Sequence, residues 1–199
     1  IIPGRAAGYQ PDGKGGISNA DYSETGKAPA AGGLSSNVDD LMRWDQALYS
    51  GALVKPETVA LAFKPATLNS GRQVGYACGW MVGTHRGLRE VGHGGDISGH
   101  NAYLARYPDQ RFTVVVLSNM TMRPAGPIPD AGQLAHRIAE MLLSDRMGPE
   151  QPPPDVQVDP SVLDAYVGRY RLEAPKIILQ NAGDLCTFRR DGNRLVGQL

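Results

Sequence analysis

The chain has no surplus of charge: its 20 Lys and Arg are matched by 20 Asp and Glu. There is no global field and no basic run interleaved with aromatics, so nucleic acid is not an expected partner. Long apolar runs are missing too, and none approaches the about 20 residues of a membrane-spanning helix. Cysteine is scarce. Cys78 and Cys186 are too few and too far apart in sequence for a disulfide framework, and they read as unpaired, buried thiols. His85, His93 and His100 lack the close spacing of His-x-x-x-His. No metal and no cofactor is expected.

The familiar nucleophile motifs are also missing. Gly-x-Ser-x-Gly does not occur, and Gly33-Leu34-Ser35-Ser36-Asn37 fails it at the last place and opens a helix with no strand before it. No serine has lysine three residues on, and no tyrosine has asparagine two residues on. The Gly92-x-Gly94-Gly95 run is followed by a strand rather than a helix N-terminus, so it does not read as a phosphate loop. Ile1-Ile2-Pro3-Gly4 has no initiator methionine and no signal-type core. Arg194 to Leu199 reads as a strand with nothing to close it. The expectation is a fragment cut at both ends, with location left unknown.

What is present has an α+β texture. Residues 1 to 34, rich in Gly, Ala and Pro, read as an irregular loop. Ser36, with Asp39, predicts a capped helix carrying Val38, Leu41, Trp44, Ala47 and Leu48 and ending near Gly51. A short helix opens at Pro56. Four strands are predicted over 76–84, 88–92, 100–107 and 111–118, joined by short connections and therefore antiparallel. The wholly apolar run from Phe112 to Leu117 predicts a central strand covered on both faces. A helix capped by Asp130 and Gln133 follows, with Leu134, Ile138 and Leu142 as its stripe.

Prolines then dominate. The organisation predicted is a first domain over 1–147, a stiff linker over 148–160, and a small β-rich segment over 161–199. In that segment Leu163 to Tyr166 reads as a helical turn. Val167 to Leu172, Lys176 to Leu179 and Leu185 to Arg189 read as strands, and Asp191-Gly192-Asn193 as a hairpin turn.

The distinctive stretch is Gly92-His93-Gly94-Gly95-Asp96-Ile97-Ser98-Gly99-His100. Glycines set among strands read as a seam that lets a ligand or another backbone approach closely. Open backbone amides there would polarise a carbonyl as an oxyanion hole does, or receive an extended peptide as an added strand. A glycine-rich crossing kept for packing alone is the remaining reading.

Several blocks, in order, carry a resemblance. They are Arg5-Ala6-Ala7-Gly8-Tyr9, Ala30-Ala31-Gly32-Gly33-Leu34-Ser35-Ser36, Asp39-Asp40-Leu41 with Trp44, and Gly75-Tyr76-Ala77-Cys78-Gly79-Trp80. His93-Gly94-Gly95 with Gly99-His100-Asn101-Ala102, and Val114 to Asn119, complete the set. Over about residues 3 to 145 the chain resembles the serine β-lactamase-like hydrolases. That superfamily holds class C β-lactamases, D-Ala-D-Ala carboxypeptidases, D-aminopeptidases and family VIII esterases. Tyr166-Val167-Gly168-Arg169-Tyr170 resembles the start of a lipocalin-like domain often attached to them.

The resemblance implies a partial β-lactamase/transpeptidase-like fold: an antiparallel sheet with helices on its faces. His93-Gly94-Gly95 falls on the family's Lys-Thr-Gly or His-x-Gly motif. His93 is then expected to face the cleft, Gly95 to leave room for substrate, and the Asp96 backbone N–H to serve as one oxyanion donor. Gly94 and Ser98 are expected beside the substrate, a small acyl compound or a peptide. The departure is the missing Ser-x-x-Lys and Tyr-x-Asn. The chain is therefore expected to be inactive alone, a piece of an acyl-enzyme hydrolase, with a non-catalytic ligand- or peptidoglycan-binding homologue as the alternative. A periplasmic or secreted setting and association through an exposed sheet edge are further implications.

Overall fold

In the computed structural model, residues 3–12, 14–20, 32–121, 129–150, 158–171 and 185–198 are described. They fall into two compact units, 1–150 and 151–199.

The first unit opens with a small hairpin, β1 (Tyr9–Pro11) and β2 (Ile17–Asn19), where the sequence suggested only loop. Its turn is nucleated by Asp12, whose carboxylate accepts from the amides of Lys14 at 2.7 Å and Gly16 at 2.9 Å. Such an aspartate supplies the turn without any hydrophobic period for the sequence to display. Tyr9 also exchanges backbone bonds with the segment after the main sheet, from its N–H to Asn119 and from Thr121 N–H back to it.

Helix α1 (Val38–Ser50) starts one residue later than the sequence suggested. Asn37 is the cap, accepting from Asp40 N–H at 2.9 Å while its amide donates to the Asp40 carboxylate at 2.9 Å. Serine has only one short arm, so Ser36 cannot make this double contact. Gly51, at φ 73°, ends the helix in the left-handed region. Helix α2 (Pro56–Ala62) follows.

The main sheet has four antiparallel strands in sequence order: β3 (Met81–His85), β4 (Leu88–Ile97), β5 (His100–Tyr107) and β6 (Phe112–Ser118). Strand β3 is shorter than the expected 76–84. A turn at Gly79, φ 74°, with Ala77 N–H bonded to the Trp80 carbonyl, bends residues 76–80 out of the ladder. Strand β4 is longer than expected and runs through the glycines to Ile97. Among the described strands β6 lies at an edge of the sheet, not at its centre. The expected cover on both faces is present and accounts for its apolar run: helix α1 packs on one side of it and α3 (Ala131–Leu142) on the other.

Strand alternation divides the sheet into two unlike faces. The α3 face is apolar, with Leu88, Ala105, Tyr107 and Val114 packed against Ala135, Ala139 and Leu143. Helix α3 has the expected capping box, Asp130 accepting from Gln133 N–H at 2.7 Å. Its buried line is Ala131, Ala135 and Ala139, while Ile138 and Leu142 of the expected stripe are exposed. Tyrosines already fill that face of the sheet, so small residues let the helix sit close. The α1 face is polar at its centre. Arg106 and Asp45 are paired there with side chains 1% exposed, and Thr113 adds a hydrogen bond to Asp45 at 3.1 Å.

The second unit contains α4 (Pro160–Asp164) and a three-stranded antiparallel sheet, β7 (Gly168–Arg171), β8 (Leu185–Asp191) and β9 (Arg194–Gln198). The suggested strand 176–179 and most of the proline run lie outside the described residues. Cys186 is buried in this unit; Cys78, in the first, is exposed, contrary to the expectation of a buried thiol.

Candidate functional site

The glycine stretch belongs to β4 as far as Ile97, and beyond Gly92 it is paired on one side alone. Its glycines divide into those that packing demands and one that faces space. A Cβ at Gly92 would lie 2.6 Å from the Leu104 carbonyl oxygen, and at Gly94 2.7 Å from the Tyr103 ring. At Gly99 it would lie 2.6 Å from the Gly8 backbone. These are close approaches that no side chain survives without displacement. A Cβ at Gly95 meets nothing within 4 Å.

His93 lies on the α1 face, opposite Leu104 on β5. Its Nδ1 meets the Gly94 carbonyl at 2.5 Å and its Nε2 the Tyr76 hydroxyl at 3.0 Å. A carbonyl only accepts, so Nδ1 carries the proton. In the neutral ring Nε2 then accepts from Tyr76. An open hollow of about 320 Å³ lies beside the imidazole, lined by His93, Trp44, Cys78, Gly79, Trp80 and Leu104. Trp44 from α1 stacks on Trp80 at 5.5 Å, and Phe63 meets Trp80 edge-on at 5.2 Å. Trp44 and Trp80 each stand in a block that carries the resemblance, but their stacking joins separate elements and no local spacing shows it.

Strand β3 stops opposite Gly92, where Met81 is its last partner. Residues 93–97 of β4 are paired only with β5. Gly94, Gly95 and Asp96 therefore lie in one row beside His93 along a half-paired strand. Ser98 sits one step further, in the two-residue turn with Gly99. Partial burial raises the Asp96 carboxyl above the ordinary range, and the Asp130 carboxylate adds to it. Asn101, opposite Asp96, donates to the Gly95 carbonyl at 3.3 Å and accepts from Ala131 N–H at 2.7 Å. It ties the glycine row to the start of α3.

A family model described as Beta-lactamase matches residues 1–139. The chain belongs to the beta-lactamase family. This beta-lactamase-family chain is 31% identical over 148 residues to Penicillin-binding protein 4* of Bacillus subtilis (strain 168), covering 71% of this chain and 32% of that relative. Among solved structures, the octameric penicillin-binding protein homologue from Pyrococcus abyssi superposes with a TM-score of 0.54 at 19% identity. That match covers 96% of this chain and 40% of the other, and it supports the fold alone. The chain spans about a third of the length of its curated relative. The beta-lactamase-family assignment accounts for the α+β layering and a serine-hydrolase-like fold. Among the described residues no helix is long and apolar enough to cross a membrane.

A second polar group lies across the sheet from His93, on the α3 face. His136 Nε2 contacts the two Glu90 oxygens at 3.0 and 3.1 Å, and Tyr103 donates to Glu90 at 3.1 Å. Burial alone would raise Glu90, but the His136 and Tyr103 contacts outweigh it and hold the carboxyl below its usual value. The same bond to Glu90 raises His136 despite its partial burial. His85 completes the group, with Nδ1 2.8 Å from the Tyr107 hydroxyl and Nε2 3.1 Å from Glu140.

Proposed function

We propose that residues 75–104 furnish one wall and one oxyanion donor of an acyl-transfer site. That site acts on amide or ester bonds through a serine acyl-enzyme, and its nucleophile comes from polypeptide outside these 199 residues. The observation that carries this reading is the unpaired edge of β4 beside the His93 hollow. The two hairpins flanking β4 each turn through two residues, Arg86-Gly87 and Ser98-Gly99. Residues that flank such turns face each other across the ladder and exchange backbone bonds, and bonding then alternates along the strand. Counted from either turn, odd positions of β4 bond toward β5 and even positions toward β3. The amides of Gly94 and Asp96 thus point to the edge that β3 has vacated. A preorganised main-chain N–H at such an edge stabilises a carbonyl oxygen as it gains charge.

The other residues have distinct parts. His93, held by Tyr76, presents its imidazole to the hollow. Gly95 leaves space over the strand, and Trp44 and Trp80 give an apolar wall. The lack of a Cβ at Gly94 lets the strand lie close to Tyr103, with its backbone beside the substrate. The acyl group forms an ester with the serine oxygen as the alcohol or amine leaves, and water then cleaves that ester. Substrate class stays at acyl compounds, since one fold serves many chemistries.

The test joins these residues to a Ser-x-x-Lys segment of the same family and measures acylation by an activated ester. Gly95→Val is expected to slow acylation by about 100-fold, the scale of losing one oxyanion contact, with circular dichroism unchanged. Unaltered acylation kinetics would remove Gly95 from the site. The 199-residue chain by itself is expected to show no burst and no fluorophosphonate labelling. A non-catalytic binding homologue is the second reading, favoured by the absence of Ser-x-x-Lys from these residues. It requires saturable binding with no acylation even in the joined protein.

A further inference from the structure

We propose that His85, Glu90 and His136 form a divalent-metal site of the zinc class, on the sheet face opposite the His93 hollow. The three residues come from three elements, the end of β3, the start of β4 and the middle of α3. One ligand atom from each lies within 4.8 Å of the other two. Two ligands bound at about 2.1 Å to one tetrahedral centre sit roughly 3.4 Å apart. The His136 to Glu90 distances, 3.0 and 3.1 Å, are already near that edge length. The sides that involve His85 are within 4.8 Å, so metal binding would require only a local adjustment of that side chain.

The surroundings suit an ion. The His85 and His136 rings lie with centroids 4.3 Å apart. Both nitrogens of His85 have partners, Tyr107 on one and Glu140 on the other. If Nδ1 binds the metal, Nε2–H donates to Glu140, the carboxylate–histidine–metal arrangement that fixes a ligating ring. If Nε2 binds, Glu140 stands ready as a fourth ligand. Glu140 has the Arg86 guanidinium 3.9 Å away, while Glu90 is met by His136. A doubly charged ion would answer both carboxylates at close range. Imidazole and carboxylate donors favour zinc and its neighbours over magnesium or calcium, which prefer oxygen alone. Bound there, the metal would fasten α3 to the β3–β4 hairpin.

The site escapes the sequence because its ligands are not local: His136 follows Glu90 by 46 residues. No spacing rule reaches that far.

The experiment uses the full chain carrying Cys78→Ser, which removes the exposed thiol as a competing ligand. After dialysis against chelator it is titrated with Co(II), read by visible absorption, and then with Zn(II). One equivalent of Co(II) is expected to give a four-coordinate spectrum that Zn(II) abolishes. His136→Gln is expected to lose that spectrum, and Glu140→Gln to weaken binding by about 10–100-fold if it is an outer partner. Failure of the parent to bind one equivalent, or unchanged binding by a folded His85→Gln/His136→Gln protein, would overturn the proposal. A readout on the parent alone guards against misfolded variants. The chain has four histidines, and Zn(II) should shift the ring NMR signals of two of them. No shift, or equal shifts in all, also overturns it.

Discussion

Asp45 is a carboxylate sealed inside the first unit, answered by Arg106 and Thr113 on one oxygen and by the Gln46 amide, at 3.2 Å, on the other. The Arg106 guanidinium carbon lies 4.7 Å from the Tyr49 ring centroid and 5.2 Å from that of Phe63, while its Nη1 has no hydrogen-bond partner. Removing one member of such a pair strands the other charge, and that cost exceeds what the pair contributes when intact. Asp45→Ala is therefore expected to lower stability by about 3–5 kcal/mol, measured by urea unfolding. Replacing Asp45 and Arg106 together by Leu and Met should recover part of the loss. A single-variant loss below about 1 kcal/mol would mean that water reaches the pair. Nothing in the sequence marks Asp45 as buried, because its partner arrives from a strand 61 residues on. Gly95 and Gly92 look alike on the page for a similar reason. What separates them is the Leu104 carbonyl, a neighbour known only from the register.

Among the elements, helices were legible in extent and less so in orientation. The cap of α3 was readable because Asp130 and Gln133 are three apart, and the capping box is a local contact. Which side of α3 turns inward depends on the sheet beneath it. Large residues at helical spacing suggested a Leu134–Ile138–Leu142 stripe, but the tyrosine-filled face accepts the alanines. The start of α3 also faces Asp96, whose carboxyl is raised by partial burial and by Asp130. Such a group is more readily protonated in the folded chain than in the unfolded one. Its contribution is thus fully present below the unfolded value, near pH 3.8, and is lost as pH rises through the raised folded value. Asp96→Asn is expected to match the parent in melting temperature below that pH and to exceed it at neutral pH. Parallel melting curves across the range would show that neither burial nor Asp130 raises the Asp96 carboxyl.

For the whole molecule, the fold class followed from simple order: helices, then closely spaced strands, then a capped helix. The position of each strand did not follow. The apolar run of β6 reports helices on both sides, a property that centre and edge strands share. Net charge is a whole-molecule quantity and has its own consequence. The chain is neutral at pH 7 and exposes large apolar residues, among them Leu34 at 91% and Met141 at 78%. Self-repulsion is weakest under those conditions. Solubility in precipitant titrations is expected to pass through a minimum near pH 7 and to rise on either side. A minimum displaced by more than about one unit would point to strongly shifted ionisations elsewhere.

Strand β3 ends opposite Gly92 because the backbone turns at Gly79 just before it. Two more residues of ladder upstream of Met81 would zip over the stretch beyond Gly92 and silence it. On the proposed reading, receptivity is therefore set by a neighbour's brevity, and a substitution that straightens the bend at Gly79 is expected to blunt the proposed site.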